Sequence, residues 1–193
     1  MKKGRDKAKR NITIMGIIIV VIMIGSTLGI TLRSSDEGSS YNGFRFASTE
    51  NGGWVTKING KEINFYYHPG ELESVNISKE FINQIKETKA FYITFDSNIT
   101  DIQYLEVARF DIVKNLQEYS ILEGISKPDS IYPLPIINCD NATQAIPVIY
   151  FIESKERNMS FEDNCYTVEA YSGFDFLVFR DKLLYILLGV QEV

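Results

Sequence analysis

The sequence predicts an α/β domain with α+β character, carried outside a membrane on one N-terminal transmembrane helix. Three observations lead there. An uncharged apolar run follows a basic tail, a strand, an amphipathic helix and a strand succeed one another mid-chain, and hairpin signals lie on either side of that unit.

Residues 1–10 form the tail, with Lys2, Lys3, Arg5, Lys7, Lys9 and Arg10 against Asp6 alone. Residues 11–32 carry no charge, and Arg33 closes the run. About 20 apolar residues rising about 1.5 Å each cross a hydrocarbon core of about 30 Å. The positive-inside bias places the tail in the cytoplasm and residues 33–193 outside a plasma membrane. A cleaved signal peptide is the rival reading. Its basic start fits, but its apolar region of about 7–15 residues would end sooner, and Thr27-Leu28-Gly29 is a poor cleavage site. No cysteine lies nearby for a lipoprotein box. Gly25 and Gly29 make a small-xxx-small pair, common in spanning helices and suited to close helix approach.

Residues 33–40, rich in Ser, Asp and Glu, read as a linker, and 41–193 as the exterior domain. Seven of the 20 basic residues and one of the 25 acids precede residue 34. The remainder therefore holds 13 basic and 24 acidic residues, a net charge of −11. Such a domain repels a phosphate backbone, so nucleic acid is not an expected partner. About 160 residues suffice for one core.

Phe44–Phe46, Trp54–Ile58 and Lys61–Tyr67 predict a three-stranded antiparallel meander, with a turn at Asn51-Gly52-Gly53 and a hairpin turn at Asn59-Gly60. Ser78 caps a predicted helix from Lys79 to Thr88, whose apolar face holds Phe81, Ile82 and Ile85. Phe91–Phe95 reads as a buried strand. Asp101 starts a longer helix to about Tyr119, striped by Ile102, Leu105, Ala108, Ile112 and Leu116, and Ile121–Ile125 is the next strand. Together these make a βαβ unit with a parallel pair. Pro147–Glu153 and Asn164–Ala170 read as a β-hairpin joined by the charged turn Ser154–Asn158. Ser172 and Asp175 form a capping box for a last helix from Gly173 to about Leu188. That helix is apolar on most sides, so it is buried or faces a partner, and Arg180, Asp181 and Lys182 at its middle exclude a second span.

Cys139 and Cys165 are the only cysteines. An even count in an oxidising compartment reads as one disulfide. The alternatives, a thiol nucleophile or a metal site, lack partners, because His68 is the single histidine. Exterior Asn-x-Ser/Thr sequons stand at Asn76, Asn98, Asn141 and Asn158, in expected loops or element boundaries.

Ligands in open α/β sheets sit at the carboxyl ends of parallel strands. That edge carries Asp96, Ser97, Asn98, Thr100 and Asp101, where two carboxylates would hold a cation or act as acid and base. The plainer reading is a helix cap at Asp101 among ordinary loop residues. His68 reads as a turn residue. Glu106/Arg109 and Asp111/Lys114 are pairs on a helix face. The extended Pro133/Pro135 segment serves as a connection or docks in a partner's groove. No catalytic, cofactor or metal motif is present.

Several segments carry a resemblance: Asn42-Gly43-Phe44, Tyr104–Asp111, Cys139–Thr143, Pro147–Phe151, Cys165, and Asp181-Lys182-Leu183-Leu184-Tyr185. This pattern resembles a group of small single-pass membrane proteins predicted from archaeal genomes. The likeness spans nearly the whole exterior domain, but its motifs are structural. It implies a membrane-anchored α/β domain with a cysteine pair and carries over no catalytic residue.

The expected function is therefore binding of another protein or a surface polymer, without catalysis. The alternatives are an accessory subunit of a membrane complex, touching through Gly25/Gly29 and the apolar last helix, or an exterior hydrolase using Asp96 and Asp101.

Overall fold

The structure is a computed structural model that describes Val20, Ile22, Met23 and residues 38–193. Those three early residues are helical, and the rest of the expected tail and anchor lies outside the described residues. Among the described residues no helix is long and apolar enough to cross a membrane.

Residues 38–193 hold two sheets and three α-helices. The first sheet contains β1 (Ser39–Tyr41), β2 (Phe44–Ser48), β3 (Trp54–Ile58) and β4 (Lys61–Phe65), antiparallel and in that order. It has one strand more than the three expected, because β1 begins inside the segment read as a linker. The signal for it was present. Asn42 and Gly43 have φ of 46° and 84°, matching 50° and 83° at Asn59 and Gly60. Two-residue turns with both φ positive fit the right-handed twist of paired strands, and glycine takes that φ without a Cβ penalty. Phe46, Ile58, Ile63 and Phe65 point inward from this sheet.

Helix α1 (Lys79–Thr88) starts and stops where expected, with the Ser78 hydroxyl accepting from Phe81 N. The second sheet is mixed. Its strands are β5 (Ala90–Phe95), β6 (Ser120–Glu123), β7 (Val148–Glu153), β8 (Asn158–Glu162) and β9 (Cys165–Ala170), ordered β6-β5-β7-β9-β8. The βαβ unit is β5, α2 (Ile102–Asn115) and β6, with the two strands parallel. Helix α2 ends four residues before Tyr119, where the Asn115 amide turns back to donate to Asp111 O at 2.8 Å.

The expected hairpin between Pro147–Glu153 and Asn164–Ala170 is not formed. Strands β7 and β9 run parallel, and the true hairpin joins β8 to β9 at the sheet edge. Its turn is Asp163-Asn164, with φ of 47° and 64°. These residues take the left-handed conformation that Asn and Asp tolerate, so the signal lay there and not in the charged segment before Asn158.

Alternation along β7 and β9 divides the core. Ile149, Phe151, Tyr166 and Val168 face the helices, while Val148 and Cys165 face Ile137 and Cys139. Cys139 and Cys165 are bonded, with Cα atoms 5.3 Å apart, so the segment before β7 is stapled to β9. Helix α3 (Gly173–Leu187) serves both sheets. Phe176 and Phe179 meet Phe151, and Tyr185 stacks on Phe65 at 4.1 Å between ring centres. The domain itself thus covers the apolar last helix; within it Phe174 is 55% exposed.

Candidate functional site

Burying most of α3 brings its three consecutive charges into the protein. Arg180 pairs with Asp111 at 2.8 Å and with Asp181 beside it. Asp181 also accepts from Tyr66 N at 2.7 Å and Tyr67 N at 2.9 Å, which ties α3 to the end of β4. Burial pushes the Asp181 carboxyl up to about 6, against the pull of Arg180 and the two backbone donors. One guanidinium shared by two carboxylates leaves this site one negative charge in excess. Asp111 is therefore not simply half of a surface pair with Lys114.

Lys182 is different. Its residue surface is 6% exposed, and among the described residues its ammonium makes no ion pair or hydrogen bond but keeps contact with solvent. Burial draws its pKa down, and Glu73 acts on it through space in the opposite sense. The side chain lines an open groove of about 720 Å³. Tyr41 and Asn42 come from the β1–β2 turn, Glu73 to Ile77 from the segment before α1, Lys182 and Ile186 from α3, and residues 189–193 from the chain end. The walls are braced by polar contacts. Tyr41 Oη donates to Glu73 Oε1 at 3.2 Å, and Asn42 Nδ2 donates to Val190 O at 3.0 Å. Gln191 Nε2 donates to Pro69 O at 2.6 Å, whereas Gln191 Oε1 is buried without a donor.

The expected edge at the carboxyl ends of β5 and β7 does form a crevice, about 470 Å³ in volume, lined by Asp96, Asn98, Thr100, Glu153 and Lys155. Its carboxylates are committed to structural partners. Asp96 accepts from Asn98 N at 3.0 Å, Asn98 Nδ2 at 2.9 Å and Lys127 Nζ at 3.1 Å. Burial would raise its pKa, but these bonds hold the carboxyl below its usual range. Ser97 binds Asp129 through its side chain, and Glu153 Oε2 accepts from Thr100 N at 2.7 Å. Asp101 precedes α2 without a side-chain bond to that helix; it caps α3 instead, accepting from Gly173 N at 2.9 Å. Asp96 and Asp101 thus have separate duties. No group of three or more His, Cys, Asp or Glu side chains among the described residues is placed to hold a metal.

His68 packs against Trp54 and Phe46, with ring centres 4.8 and 5.2 Å away, and Nδ1 accepts from Gly70 N. It is part of an aromatic wall. Asn76, Asn98, Asn141 and Asn158 are all exposed. Asn76 lines the groove and Asn158 opens edge strand β8.

Sequence reasoning missed Lys182, Gln191, Tyr41 and Glu73. One signal was available: Arg180, Asp181 and Lys182 put two cations and one acid inside an apolar helix, so one cation lacked a local partner.

No protein-family model matches the chain, and no curated protein or solved structure shows significant similarity to it.

Proposed function

We propose that this protein is a membrane-tethered binding domain, displayed on the exterior side, that takes another protein or a surface polymer into the Lys182 groove. The observation that carries the reading is the groove itself: an open, polar cleft into whose solvent Lys182 brings its ammonium, within the field of Glu73. The tether rests on the basic tail and the uncharged run of residues 11–32. The disulfide and the four exposed sequons suit an oxidising, exterior setting.

The test is site-specific photo-crosslinking in intact cells. A probe at Glu192, in the groove, is expected to trap a reproducible partner, and a probe at Lys155, in the β5–β7 crevice, is not. No adduct at Glu192 in an abundant, membrane-inserted protein would count against the reading.

A second reading, an accessory subunit of a membrane complex, draws on a different surface from the last helix. Val107 and Phe110 on α2 and Leu122 on edge strand β6 are 39%, 65% and 53% exposed. Val107 and Phe110, one turn apart on α2, suit a protein contact there, whereas Leu122 leaves the other face of β6 from Glu123, which pairs with Arg109 of α2.

A further inference from the structure

We propose that the crevice between β5 and β7 is a second binding site, separate from the Lys182 groove, and that it takes a small uncharged mono- or disaccharide. The inference stands independently of the groove. It rests on the topology of the sheet, on the exposed polar groups of the crevice and on the aromatic side chains beside it.

The winding of the five-stranded sheet reverses at this place. In chain order β5 is followed by β6 and then by β7, yet β6 and β7 flank β5 on opposite sides, and all three run parallel. The two connections cross opposite faces of the sheet. Helix α2 lies on the Phe95 face, with the Arg109 guanidinium 4.3 Å from the centre of that ring. The segment that leads from β6 to β7 lies on the Thr94 face, where the Thr94 hydroxyl donates to Ile137 O at 2.6 Å. Connections that part to opposite faces open a crevice outside the carboxyl ends of the strands, and ligands of open α/β sheets enter there. The crevice of about 470 Å³ lies at that opening, within the range of about 300–1,000 Å³ for small-ligand sites.

The walls define the chemistry. Glu153, Asn98, Thr100 and Lys155 are exposed there. Glu153 Oε2 accepts from Thr100 N, which leaves Oε1 to accept from a ligand. Asn98 donates from Nδ2 to Asp96, which leaves its carbonyl oxygen as an acceptor. Lys155 supplies a donor, and among the described residues it makes no ion pair or hydrogen bond. Acceptors and donors set side by side match neighbouring hydroxyl groups, each of which both donates and accepts. Charge argues against an anion. Asp96 and Glu153 face the crevice, Lys127 is engaged by Asp96, and residues 34–193 carry a net charge of −11. Ile99 and Glu153 also border a smaller pocket lined by Tyr171 and Gly173. Tyr171 is 69% exposed, and Phe174, 55% exposed, leans on Tyr104 with ring centres 5.0 Å apart. Exposed rings beside a polar cleft offer a surface to the apolar C–H face of a sugar ring.

The experiment uses the full chain in nanodiscs, made in a host without N-glycosylation so that Asn98 stays bare, and reads ligand-observed NMR titrations. The probes are D-glucose, D-galactose, D-mannose, maltose and lactose, with D-glucuronate as the anionic control. At least one neutral sugar is expected to bind with a Kd of about 1 mM or tighter, and more tightly than glucuronate. Glu153→Gln keeps an acceptor for Thr100 N and should weaken that sugar about tenfold, through loss of a charge-assisted bond. Tyr171→Ala, at an exposed position, should weaken it about tenfold as well, with an unchanged melting temperature. No binding of any neutral sugar at about 10 mM overturns the proposal, as does tighter binding of glucuronate or an affinity that survives both variants. A glycan on Asn98 of the native protein would fill the crevice and overturn it too. A ligand of this size leaves no macromolecular adduct at Lys155, in keeping with the crosslinking outcome stated above. A macromolecular adduct there would assign the crevice to a protein or polymer and end the small-sugar reading. The Glu192 crosslink tests the groove alone, so the two readings fail separately.

Discussion

Removing the Asp181 carboxylate should be among the most damaging single changes in the domain. Asp181 is fully buried and holds three donors: Arg180 and the backbone N–H groups of Tyr66 and Tyr67. In Asp181→Ala, two backbone donors lose their acceptor at about 1–3 kcal/mol each, and a buried ion pair is broken at about 3–5 kcal/mol. These terms overlap, because Arg180 keeps Asp111, so the expected loss is about 4–6 kcal/mol. A domain of this size has about 5–15 kcal/mol in all, so the variant should be largely unfolded or close to it. Asp181→Asn retains an acceptor oxygen and should lose about half as much, about 2–3 kcal/mol. The assay is urea unfolding in non-ionic detergent, followed through Trp54, the only tryptophan. Its ring lies 4.8 Å from His68, just beyond β4, and so reports on the sheet that Asp181 anchors. The pH dependence supplies a second signature. With a native pKa raised to about 6 from 3.8, the folded state binds more protons than the unfolded chain between those values. This group's contribution therefore favours folding at low pH and is lost as pH rises through about 4 to 6. Asp181→Asn should abolish that component. A loss below about 1 kcal/mol in Asp181→Ala would refute the network's anchoring role.

Three further outcomes follow from single contacts. Replacing Cys139 and Cys165 by serine opens a loop with a sequence separation of 26 and should lower stability by about 3.5 kcal/mol, read as a lower urea midpoint; an unchanged midpoint would contradict the staple. Gly173→Ala places a Cβ 2.3 Å from the Tyr104 ring and 2.9 Å from Asp101 Cβ, and should cost about 2 kcal/mol, or about 4–8 °C in melting temperature by calorimetry. Asp96 has its pKa lowered, so its stabilising effect is present above about pH 4 and disappears as pH falls through the lowered native value. Asp96→Asn should therefore flatten the acid limb of a stability–pH curve, and an unaltered limb would assign acid lability elsewhere.

Local signals were legible wherever one element decided the outcome. Ser78 and the Phe81/Ile82/Ile85 face placed α1, and Asn59-Gly60 placed the β3–β4 turn. The cysteine pair was readable from its even count. Strand pairing was not readable in the same way. The Asp163-Asn164 turn takes the same backbone form as Asn-Gly but has a weaker sequence signature, so β8 was missed and β7 was paired with β9 in the wrong sense. Asp101 illustrates a further limit. Its residue type predicts a cap, and it does cap a helix, but one that begins at Gly173, 72 residues away. A carboxylate near two helix starts can serve either, and only tertiary packing chooses. The candidate edge at Asp96 follows from the parallel strands, whereas the groove is assembled from three separated segments. No local pattern encodes that meeting.

The three charges of α3 tie these threads together. Successive helical residues point about 100° apart, so Arg180, Asp181 and Lys182 face three different neighbours. Arg180 meets α2 through Asp111, Asp181 meets the end of β4, and Lys182 meets the groove. The first two are explained by the domain's own architecture, since each joins α3 to another element and is paired. The third leaves its cation at the wall of the groove, in contact with solvent and within the field of Glu73. Changes at Arg180 or Asp181 should therefore damage the domain more than a change at Lys182, because only the first two leave buried partners unpaired.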